Sequence, residues 1–404
     1  MKDINKLLQS HGQEHLIDVL NNLPQSDRNK LISQLQSVDF NTVELWKHPE
    51  DLSGKGNVQP ISGLSLKDID AKRQHYINIG TQAICRNQVG AVLLAGGQGT
   101  RLGSDAPKGA YNIGLTKPLY IFEQLINNLL EVCRQCETFV PLFIMTSNKN
   151  DADTRQFFEQ HSYFGYPKSH IRFFVQDMAP IVDFNGRLLL EDKAQLAMSP
   201  NGNGGWFTSL AKADVLGDFP ELQWLNVFAV DNVLQRIADP VFVGAVIDSG
   251  LNCGAKVVRK SNPYERVGTL CLEDGLPSVI EYYEITDEMA VQQGKDGNLA
   301  YSLGVILNYL FSLPKLRETV GKRIPVHVVA KKIPHLDETG NLIKPDKENG
   351  YKFETLILDM VKLMGTCLPF EVVREHEFAP IKNKTGVDSV ESAQLLLKNS
   401  GIKL

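Results

Sequence analysis

The chain has 404 residues and a formal net charge of −5, from 42 lysines and arginines against 47 aspartates and glutamates. Its length predicts about two or three structural units, and its 43% hydrophobic and 22% charged residues are those of an ordinary globular protein. The acidic balance argues against a nucleic acid as the main partner, because proteins that bind nucleic acids usually carry a basic patch.

Three further features of the sequence bear on where the protein works. No apolar run approaches the roughly 18 to 20 residues of a membrane span. The first residues, MKDINKLLQSHGQEHL, have no apolar signal-peptide core, and six cysteines in a chain of 404 residues do not make a disulfide framework. We therefore expect a cytoplasmic protein that contacts neither a membrane nor a nucleic acid.

The first 50 or so residues predict a small helical arm, because two groups of apolar residues recur at helical spacing. The groups are Leu16, Val19, Leu20 and Leu23, followed by Leu31, Ile32 and Leu35. Ser26 and Asp27 are candidates to cap the second helix. Residues 49–64, PEDLSGKGNVQPISGL, are rich in glycine and proline and predict a linker. We assign residues 1–88 to this helical N-terminal arm and linker.

From about residue 88 apolar strands alternate with helices. The candidate strands are 89–94, 142–146, 171–175, 224–230 and 254–258, and the candidate helices between them include 118–136 and 151–160. Such alternation predicts a mostly parallel sheet covered by helices, with ligands at the carboxyl ends of the strands.

After about residue 250 the pattern becomes shorter. Residues 267–272 and 277–285 predict two strands joined by the turn Glu273-Asp274-Gly275. A helix over 353–364, a strand over 370–373 and a closing helix over 388–398 are predicted to follow.

Residues 92–109, VLLAGGQGTRLGSDAPKG, form the most informative stretch. An apolar strand breaks into a glycine-rich loop, whose backbone N–H groups can approach an anion closely, and Arg101 and Lys108 supply nearby positive charge. Phosphate chemistry is therefore the leading interpretation, and a turn that serves only the backbone is the alternative. A dinucleotide fingerprint fails because Leu102 stands where the third glycine is required, and a Walker A loop fails because Lys108 is followed by Gly109 instead of Ser or Thr.

Asp231 ends the apolar run WLNVFAVDN, which predicts a strand that delivers a carboxylate at its carboxyl end. Such a carboxylate suits Mg²⁺, which usually takes one or two protein carboxylates together with phosphate oxygens and waters. Asn232 is neutral and adds no second carboxylate, and helix capping is the alternative role for both residues. Cys133 and Cys136 lie in one predicted helix with no second pair for zinc, so we expect them to be structural.

The segment LAGGQGTRLG followed by PKG resembles the signature of the sugar-nucleotide pyrophosphorylases, specifically the UDP-N-acetylhexosamine pyrophosphorylase branch of the UDP-sugar pyrophosphorylases. Further similar segments occur in family order and cover nearly the whole chain, namely HGQEHL, FVQDMAP, MSPNGNGGWF, VFAVDN, NCGAKVVRKSNPYERVG, VIEYYEI, VHVVAKKIP, LIKPDKENGYKFE and EFAPIKN. The resemblance implies a Rossmann-like, three-layer α/β/α nucleotidyltransferase core of the GT-A-like kind, with a mixed sheet. This core would span 89–384, and a small C-terminal region with a short helix would span 385–404.

The resemblance also implies an activity: a uridylyltransferase that joins UTP and N-acetylglucosamine 1-phosphate to give UDP-N-acetylglucosamine and pyrophosphate. The reaction is an in-line attack of a phosphate oxygen on the α-phosphorus, which requires positioning and charge neutralisation but no enzyme nucleophile. Mg²⁺ is the implied cofactor. UTP and the sugar 1-phosphate are the implied partners. Larger members of the family continue in a C-terminal domain beyond the position that corresponds to Leu404, and an oligomer that depends on that domain does not follow from this sequence. A monomer is the expectation for this chain.

Roles for individual residues follow from the same resemblance. The implied nucleotide-binding residues are Ala95, Gly96, Gly97, Gln176, Met198, Pro200, Gly202 and Asp231, of which Asp231 would also hold the metal ion. The implied catalytic and phosphate-binding residues are Arg101 toward the leaving pyrophosphate, Lys108 on the α-phosphate, Lys352 and Lys382. The implied sugar-binding residues are Asn203, Gly268, Glu281 and Ser302.

One segment departs from the family pattern. The family commonly shows FNAGN where this chain has Tyr301-Ser302-Leu303-Gly304-Val305, so Ser302 and Val305 replace two amides. The same reaction on glucose 1-phosphate, galactose 1-phosphate or several sugars therefore stays open, as does an inactive sensor of nucleotide sugars. A nicotinamide dehydrogenase is a weaker third idea. Tyr264, Tyr282 and Tyr283 are expected to pack in strands, with stacking on a sugar as the alternative.

Overall fold

A computed structural model describes residues 2–47, 56–294, 297–322, 324–337 and 339–404. The helices are α1 (Lys2–Ser10), α2 (His15–Asn22), α3 (Gln25–Gln36), α4 (Phe40–Val43), α5 (Leu66–Cys85), α6 (Ile121–Gln135), α7 (Asp151–Gln160), α8 (Trp206–Lys212), α9 (Pro240–Ser249), α10 (Asp287–Val291), α11 (Leu313–Arg317), α12 (Ile357–Leu363), α13 (Arg374–Glu377) and α14 (Val390–Asn399). The strands are β1 (Val58–Pro60), β2 (Val89–Leu94), β3 (Leu142–Thr146), β4 (Ile171–Val175), β5 (Met178–Pro180), β6 (Val182–Asp183), β7 (Leu190–Asp192), β8 (Gln195–Leu196), β9 (Met198–Pro200), β10 (Trp224–Ala229), β11 (Cys253–Arg259), β12 (Thr269–Glu273), β13 (Leu276–Ile280), β14 (Leu303–Ser312), β15 (Val326–Lys331), β16 (His335–Leu336), β17 (Leu342–Ile343), β18 (Gly350–Thr355) and β19 (Leu368–Glu371).

The chain forms two compact units, and each is assembled from three separate segments. Unit 1 comprises Met1–Gly54, Asp177–Gly205 and Arg323–Ile357. Unit 2 comprises Lys55–Gln176, Trp206–Lys322 and Leu358–Leu404. The division into an arm, a catalytic domain and a C-terminal helix at residues 88 and 384 stays a prediction. Among the described residues no helix is both long and apolar enough to span a membrane.

Unit 2 is built on a ten-stranded mixed sheet, which confirms the predicted fold class. Strands run in the order β1-β12-β14-β10-β2-β3-β4, with β13 beside β12, and β11 between β14 and β19. β10, β2, β3 and β4 are parallel neighbours, whereas β14 runs antiparallel to both β10 and β11. The chain moves from β2 outward through β3 to β4 and then returns to the other side of β2 as β10. The crevice at the carboxyl ends of β2 and β10 is therefore a topological switch point, where open α/β sheets bind their ligands.

Helices cover both faces of this sheet. Val89, Ala91 and Leu93 alternate along β2 and belong to one core cluster with residues of α5, α6 and α9. On the opposite face Trp206 of α8 packs against Phe311 of β14, with 5.9 Å between the ring centroids. Because successive strand residues face opposite sides, a strand buried on both faces reads as a continuous apolar run. The three-layer arrangement thus follows from the sequence of β2, VGAVLL.

Unit 1 combines the N-terminal helices with small sheets. β15, β18 and β6 form one three-stranded sheet, and β5 pairs with β9. Buried residues of the helices, among them Leu8, Leu16 and Leu31, share a core cluster with Val182 and Phe353 of the sheet. The helical arm is therefore one layer of this unit.

Several predicted boundaries are confirmed, and four predictions are wrong. β2, β3, β4 and α7 begin and end at the predicted residues. Ser26 and Asp27 do not cap α3, which begins at Gln25 after Pro24. The predicted linker contains strand β1, which pairs with β12, while its residues 49–55 lie outside the described residues. Phe353 belongs to β18 rather than to the start of a helix.

The fourth error concerns the three tyrosines that we expected to pack in strands. Tyr264, Tyr282 and Tyr283 lie in turns and are 63%, 44% and 69% exposed. Their apolar neighbours in the sequence suggested strand continuation, but the strands end before them at Arg259 and Ile280.

Candidate functional site

The glycine loop leaves the end of β2 at the switch point and is held in place by its own backbone and by Asn150. The Asn150 amide, which is fully buried, donates to the carbonyl oxygens of Ala95 at 2.9 Å and Gly97 at 3.2 Å. The backbone N–H of Lys108 donates to the Gly97 carbonyl at 3.2 Å. Gly97 itself is exposed, so the loop presents backbone to solvent at the predicted position.

Lys108 and Asp231 form an ion pair across the switch point. The Lys108 Nζ lies 2.6 Å from Oδ1 of Asp231, and the two side chains are 13% and 39% exposed. Lys108 reaches this position from a short 3-10 helix, whereas Asp231 lies two residues after the end of β10. The structure thus brings together a cation and a carboxylate that are 123 residues apart in sequence.

Arg101 and Lys382, the other predicted cations of unit 2, have different surroundings. Arg101 is exposed in a 3-10 helix of the glycine loop. Lys382 follows Ile381, whose backbone N–H donates to the Asp231 carbonyl at 2.9 Å. Its Nζ is paired with Oδ2 of Asp388 at 2.9 Å. The segment that carries Lys382 is therefore tied to Asp231, while the ammonium group contacts another carboxylate.

Gln176 follows the end of β4 and packs against the glycine loop. It is 7% exposed, and its backbone N–H donates to the Thr146 carbonyl. A Cβ built on Gly96 would lie 2.2 Å from Gln176 Nε2. Only a glycine at position 96 therefore allows the glutamine amide to lie against the loop.

The predicted sugar residues of unit 2 surround the beginning of β14. The Val305 N–H donates to the Gly268 carbonyl at 2.9 Å, and a Cβ on Gly268 would lie 3.7 Å from a carboxylate oxygen of Glu281. Ser302 is 4% exposed, and its Oγ accepts a hydrogen bond from Arg259 Nη1 at 2.8 Å. The serine that replaces the expected amide is thus already engaged by an arginine that sequence reasoning missed.

Unit 1 contains the second glycine loop and Lys352. Met198 and Pro200 lie in β9, which pairs with β5. Asn203 Oδ1 accepts from the Ile357 N–H at 2.9 Å, which ties the loop to the start of α12. Gly202 has φ +85°, and a Cβ there would lie 2.2 Å from the Thr355 carbonyl. Lys352 lies in β18 opposite Val329 and is half-buried.

The polar residues next to Asp231 decide what could bind a metal ion. Asn232 is 2% exposed, its amide donates to the Glu377 carbonyl at 2.7 Å, and its Oδ1 accepts from Ala379 N–H at 2.9 Å. Both ends of this side chain are therefore used inside the protein. No group of three or more His, Cys, Asp or Glu side chains that could hold a metal occurs within the described ranges. Asp231 therefore offers one partly exposed carboxylate at the crevice.

A set of buried polar side chains in unit 2 was not predicted from the sequence. They are Asn226, Gln235, Asp239, Lys256, Asn308 and Glu377, each at most 8% exposed. A signal was present, since Asn226, Lys256 and Asn308 interrupt otherwise apolar strand runs. Such interruptions are unfavourable unless the polar group finds partners inside.

A glycine loop and a lysine–aspartate pair at the switch point of a mixed sheet are typical of nucleotidyltransferase-like α/β proteins. Residues 53–404 match the family described as UTP–glucose-1-phosphate uridylyltransferase, and the chain belongs to that family.

Similar proteins of known name agree with this membership. The chain is 38% identical to a UDP-N-acetylhexosamine pyrophosphorylase-like protein 1 of Xenopus tropicalis, over 93% of this chain and 79% of that protein. It is 34% identical to the UDP-N-acetylglucosamine pyrophosphorylase of Saccharomyces cerevisiae, over 98% and 89% of the two chains. The crystal structure of a UDP-N-acetylglucosamine pyrophosphorylase from Trypanosoma brucei in complex with inhibitor superimposes with a TM-score of 0.83 at 28% identity, over 98% and 84% of the two chains.

Proposed function

We propose that the protein transfers the uridylyl group of UTP to N-acetylglucosamine 1-phosphate and releases pyrophosphate. The observation that carries the proposal is the Lys108–Asp231 pair beside the glycine loop, at the switch point of the sheet. Membership of the uridylyltransferase family and the names of the relatives that are 31–38% identical support the reaction and the acetylated sugar.

The chemistry requires the chain to bind, orient and neutralise phosphates. Gly96 and Gly97 direct backbone N–H groups at the phosphates, and Arg101 faces the leaving pyrophosphate. Lys108 binds the α-phosphate and stabilises the charge that develops there during in-line attack. Gln176 reads the uracil edge, because a carboxamide offers one acceptor and two donors. Lys382 adds a positive charge near the phosphates.

The donor set at Asp231 fits Mg²⁺. This ion is commonly bound by one or two protein carboxylates together with substrate phosphate oxygens and waters, and Asp231 supplies one partly exposed carboxylate. When bound, the ion supplies charge neutralisation at the phosphates. Asp231 also orients Lys108 through their ion pair.

We assign the residues of the second glycine loop to the same substrates. Met198, Pro200 and Gly202 pack against uracil, and Asn203 faces the sugar hydroxyls. The turn at Gly202 leaves no room for a Cβ, which supports a fixed loop. Lys352 is a further phosphate-binding cation. The six cysteines are all free thiols, which supports a reducing compartment such as the cytoplasm. As a separate point, we propose that the protein acts as a monomer.

Glucose 1-phosphate is the second candidate substrate, and two observations favour it. The family description names glucose 1-phosphate. In addition, Ser302 has its hydroxyl engaged by Arg259, and Val305 is apolar and 9% exposed, so neither reproduces an amide. An acetamido group left without a buried partner would lose about 1 to 3 kcal/mol of binding.

One assay separates these possibilities. Pyrophosphate release is measured with UTP, Mg²⁺ and each of N-acetylglucosamine, glucose and galactose 1-phosphate. We expect the highest kcat/KM with the acetylated sugar, and equal or faster turnover of glucose 1-phosphate would contradict that preference. Binding of UDP-sugars in a calorimeter without any pyrophosphate exchange would identify a sensor instead.

A further inference from the structure

The described part of unit 2 contains a continuous network of buried polar side chains, which includes Asn232, the residue after Asp231, and Glu377, five residues before Lys382. Its members come from three strands, from the segment after β10 and from α13. They are Asn226, Asn232, Gln235, Asp239, Lys256, Asn308 and Glu377, and their exposed fractions range from 0% to 8%. The reaction proposed above assigns no role to these residues.

Lys256 is the centre of the network. It lies in the middle of β11 and is fully buried, and its Nζ is 2.6 Å from Oε2 of Glu377, 3.0 Å from the Arg236 carbonyl and 3.5 Å from Oδ2 of Asp239. The Glu377 carboxylate also accepts from the Arg236 N–H at 3.2 Å. One cation therefore joins the segment after β10 to α13.

Asn232 connects this ionic centre to the site. It follows Asp231, and its side chain donates to the Glu377 carbonyl at 2.7 Å and accepts from the Ala379 N–H at 2.9 Å. Two residues later the Ile381 N–H donates to the Asp231 carbonyl at 2.9 Å. Hydrogen bonds thus join the backbone at Asp231 and Asn232 to the segment from Glu377 to Ile381, which precedes Lys382.

The neutral members hold the segment after β10 from the other side. Gln235 donates to the carbonyls of Ala229 and Asn232, both at 2.8 Å. Asn308 of β14 donates to Gln235 Oε1 at 3.1 Å and accepts from Asn226 of β10 at 2.8 Å. The turn that carries Asp231 is therefore fixed from two neighbouring strands.

Stability alone does not account for such a network. Replacing a buried ion pair by well-packed apolar groups is often neutral or stabilising, because desolvation of two charges offsets most of their attraction. A fully satisfied polar network does fix one arrangement of the chain, since any displacement leaves polar groups unpaired. This network holds the segment after β10, which carries Asp231. Hydrogen bonds also join that segment to the one that carries Lys382.

We propose that Lys256, Glu377 and Asn232 are positioning residues that hold Asp231 and Lys382 at the spacing required for uridylyl transfer; this inference rests on the function proposed above. None of the three touches substrate. Their effect is on turnover, because small displacements of charged groups weaken interactions made in the transition state more than ground-state binding.

The test compares the double variant Lys256→Met/Glu377→Gln and the single variant Asn232→Ala with the wild type. The double variant removes both charges together, and Asn232→Ala removes the connection without touching a charge. We expect kcat to fall about 10- to 100-fold in both, with a higher Mg²⁺ concentration for half-maximal rate and a KM for the sugar 1-phosphate within about twofold. UTP affinity, measured by calorimetry, is expected to change less than kcat.

The control is Leu222→Ala, a buried residue just before the amino end of β10 and near Gly90 of β2. This change lowers the unfolding temperature through a cavity and leaves kcat and the Mg²⁺ response as in the wild type. Wild-type kcat and Mg²⁺ response in Asn232→Ala would overturn the inference, even if the double variant does not fold. An equal loss of kcat in Leu222→Ala would also overturn it, by making the effect one of stability. If the wild type itself releases no pyrophosphate from UTP with any sugar 1-phosphate, the proposed function is what fails.

Discussion

At the scale of single residues, the ion pair of Lys108 and Asp231 is the main charged contact described at the crevice. The two opposite charges offset each other, so the crevice has little net charge from this pair. Such a site needs no strongly basic patch, which agrees with a chain of net charge −5. A pair at 2.6 Å also fixes the direction of a flexible lysine, which reduces the conformational entropy lost when it binds a phosphate. The carboxylate therefore has a positioning role in addition to any contact with a metal ion.

Lys108→Ala is expected to lower kcat by about 10²-fold or more, because a charge aimed at the α-phosphate contributes most where negative charge develops. UTP affinity should fall much less, and the two quantities are separated by steady-state kinetics and calorimetry. Lys117→Ala is the matched control, since Lys117 is an exposed lysine of the same unit. Unchanged kcat in the Lys108 variant would remove this residue from the mechanism.

At the scale of elements, two adjacent glycines of the loop offer a test of what the loop faces. A Cβ on Gly96 would meet Gln176 Nε2 at 2.2 Å, whereas a Cβ on Gly97 would meet no protein atom of the described chain within 4 Å. Gly96→Ala is therefore expected to lower the unfolding temperature and to raise the KM for UTP. Gly97→Ala is expected to leave the unfolding temperature unchanged. It should still raise the KM for UTP, because its methyl group would lie where we propose that the phosphates bind.

Thermal unfolding and steady-state kinetics with varied UTP decide the outcome of the two glycine variants. If Gly97→Ala binds UTP as well as the wild type, the phosphates do not lie against this loop. If Gly96→Ala is as stable as the wild type, Gln176 has room to move and is not held by the loop.

Gln13 connects the N-terminal helices to the β6–β7 turn within unit 1. It is 2% exposed, donates to the Gly186 carbonyl at 2.9 Å and accepts from the Leu188 N–H at 2.8 Å. Gln13→Ala leaves two buried backbone groups unpaired, so we expect the free energy of unfolding to fall by about 2 kcal/mol. Denaturant titration measures this, with the exposed Gln9→Ala in α1 as a control that changes stability by less than about 0.5 kcal/mol.

The sequence predicted those elements whose boundaries depend on local patterns. β2, β3 and β4 are continuous apolar runs bounded by polar turns, so their first and last residues could be predicted from the sequence. The helix predicted from residue 353 was wrong because Phe353 is buried in a strand that pairs with β15, a long-range contact that periodicity does not encode. β1 was missed for the same reason, since its pairing with β12 joins residues more than 200 positions apart.

The candidate site divides in a similar way. The glycine loop and Asp231 were predicted because each follows an apolar strand, and parallel strands place their carboxyl ends at one edge. The contact of Lys108 with Asp231 was not predicted, because it depends on β10 returning beside β2. The engagement of Ser302 by Arg259 depends on the antiparallel pairing of β11 with β14, which no local pattern reveals.

At the scale of the whole molecule, the predicted site residues are distributed over both units. Unit 1 takes its three segments from residues that are far apart in sequence, so its N-terminal helices and the second glycine loop fold as parts of one core. A change in the N-terminal helices therefore acts on the stability of the body that carries Met198, Gly202 and Lys352. The N-terminal helices are therefore part of the folded core of unit 1.

His15 makes the stability of unit 1 depend on pH. Its Nε2 donates to the Leu188 carbonyl at 3.0 Å, and its Nδ1 is buried with no partner among the described residues. Burial lowers the pKa of His15, an effect opposed by the hydrogen bond to Leu188 and reinforced by Arg187. Burial is the main cause of the lowered pKa, and the second N–H of the protonated ring, which would have no acceptor among the described residues, acts in the same direction.

Because the pKa of His15 is lower in the folded state, the unfolded chain binds the additional proton first as the pH falls. The stabilising contribution is complete above the ordinary histidine pKa of about 6.5 and is lost as the pH falls through the lower folded-state value. We expect the free energy of unfolding of the wild type to fall more steeply between about pH 7 and pH 5 than that of His15→Gln, whose amide can still donate to Leu188. Denaturant titrations of both proteins across this range measure the difference, and parallel pH profiles would show that His15 takes up its proton equally well in the folded chain.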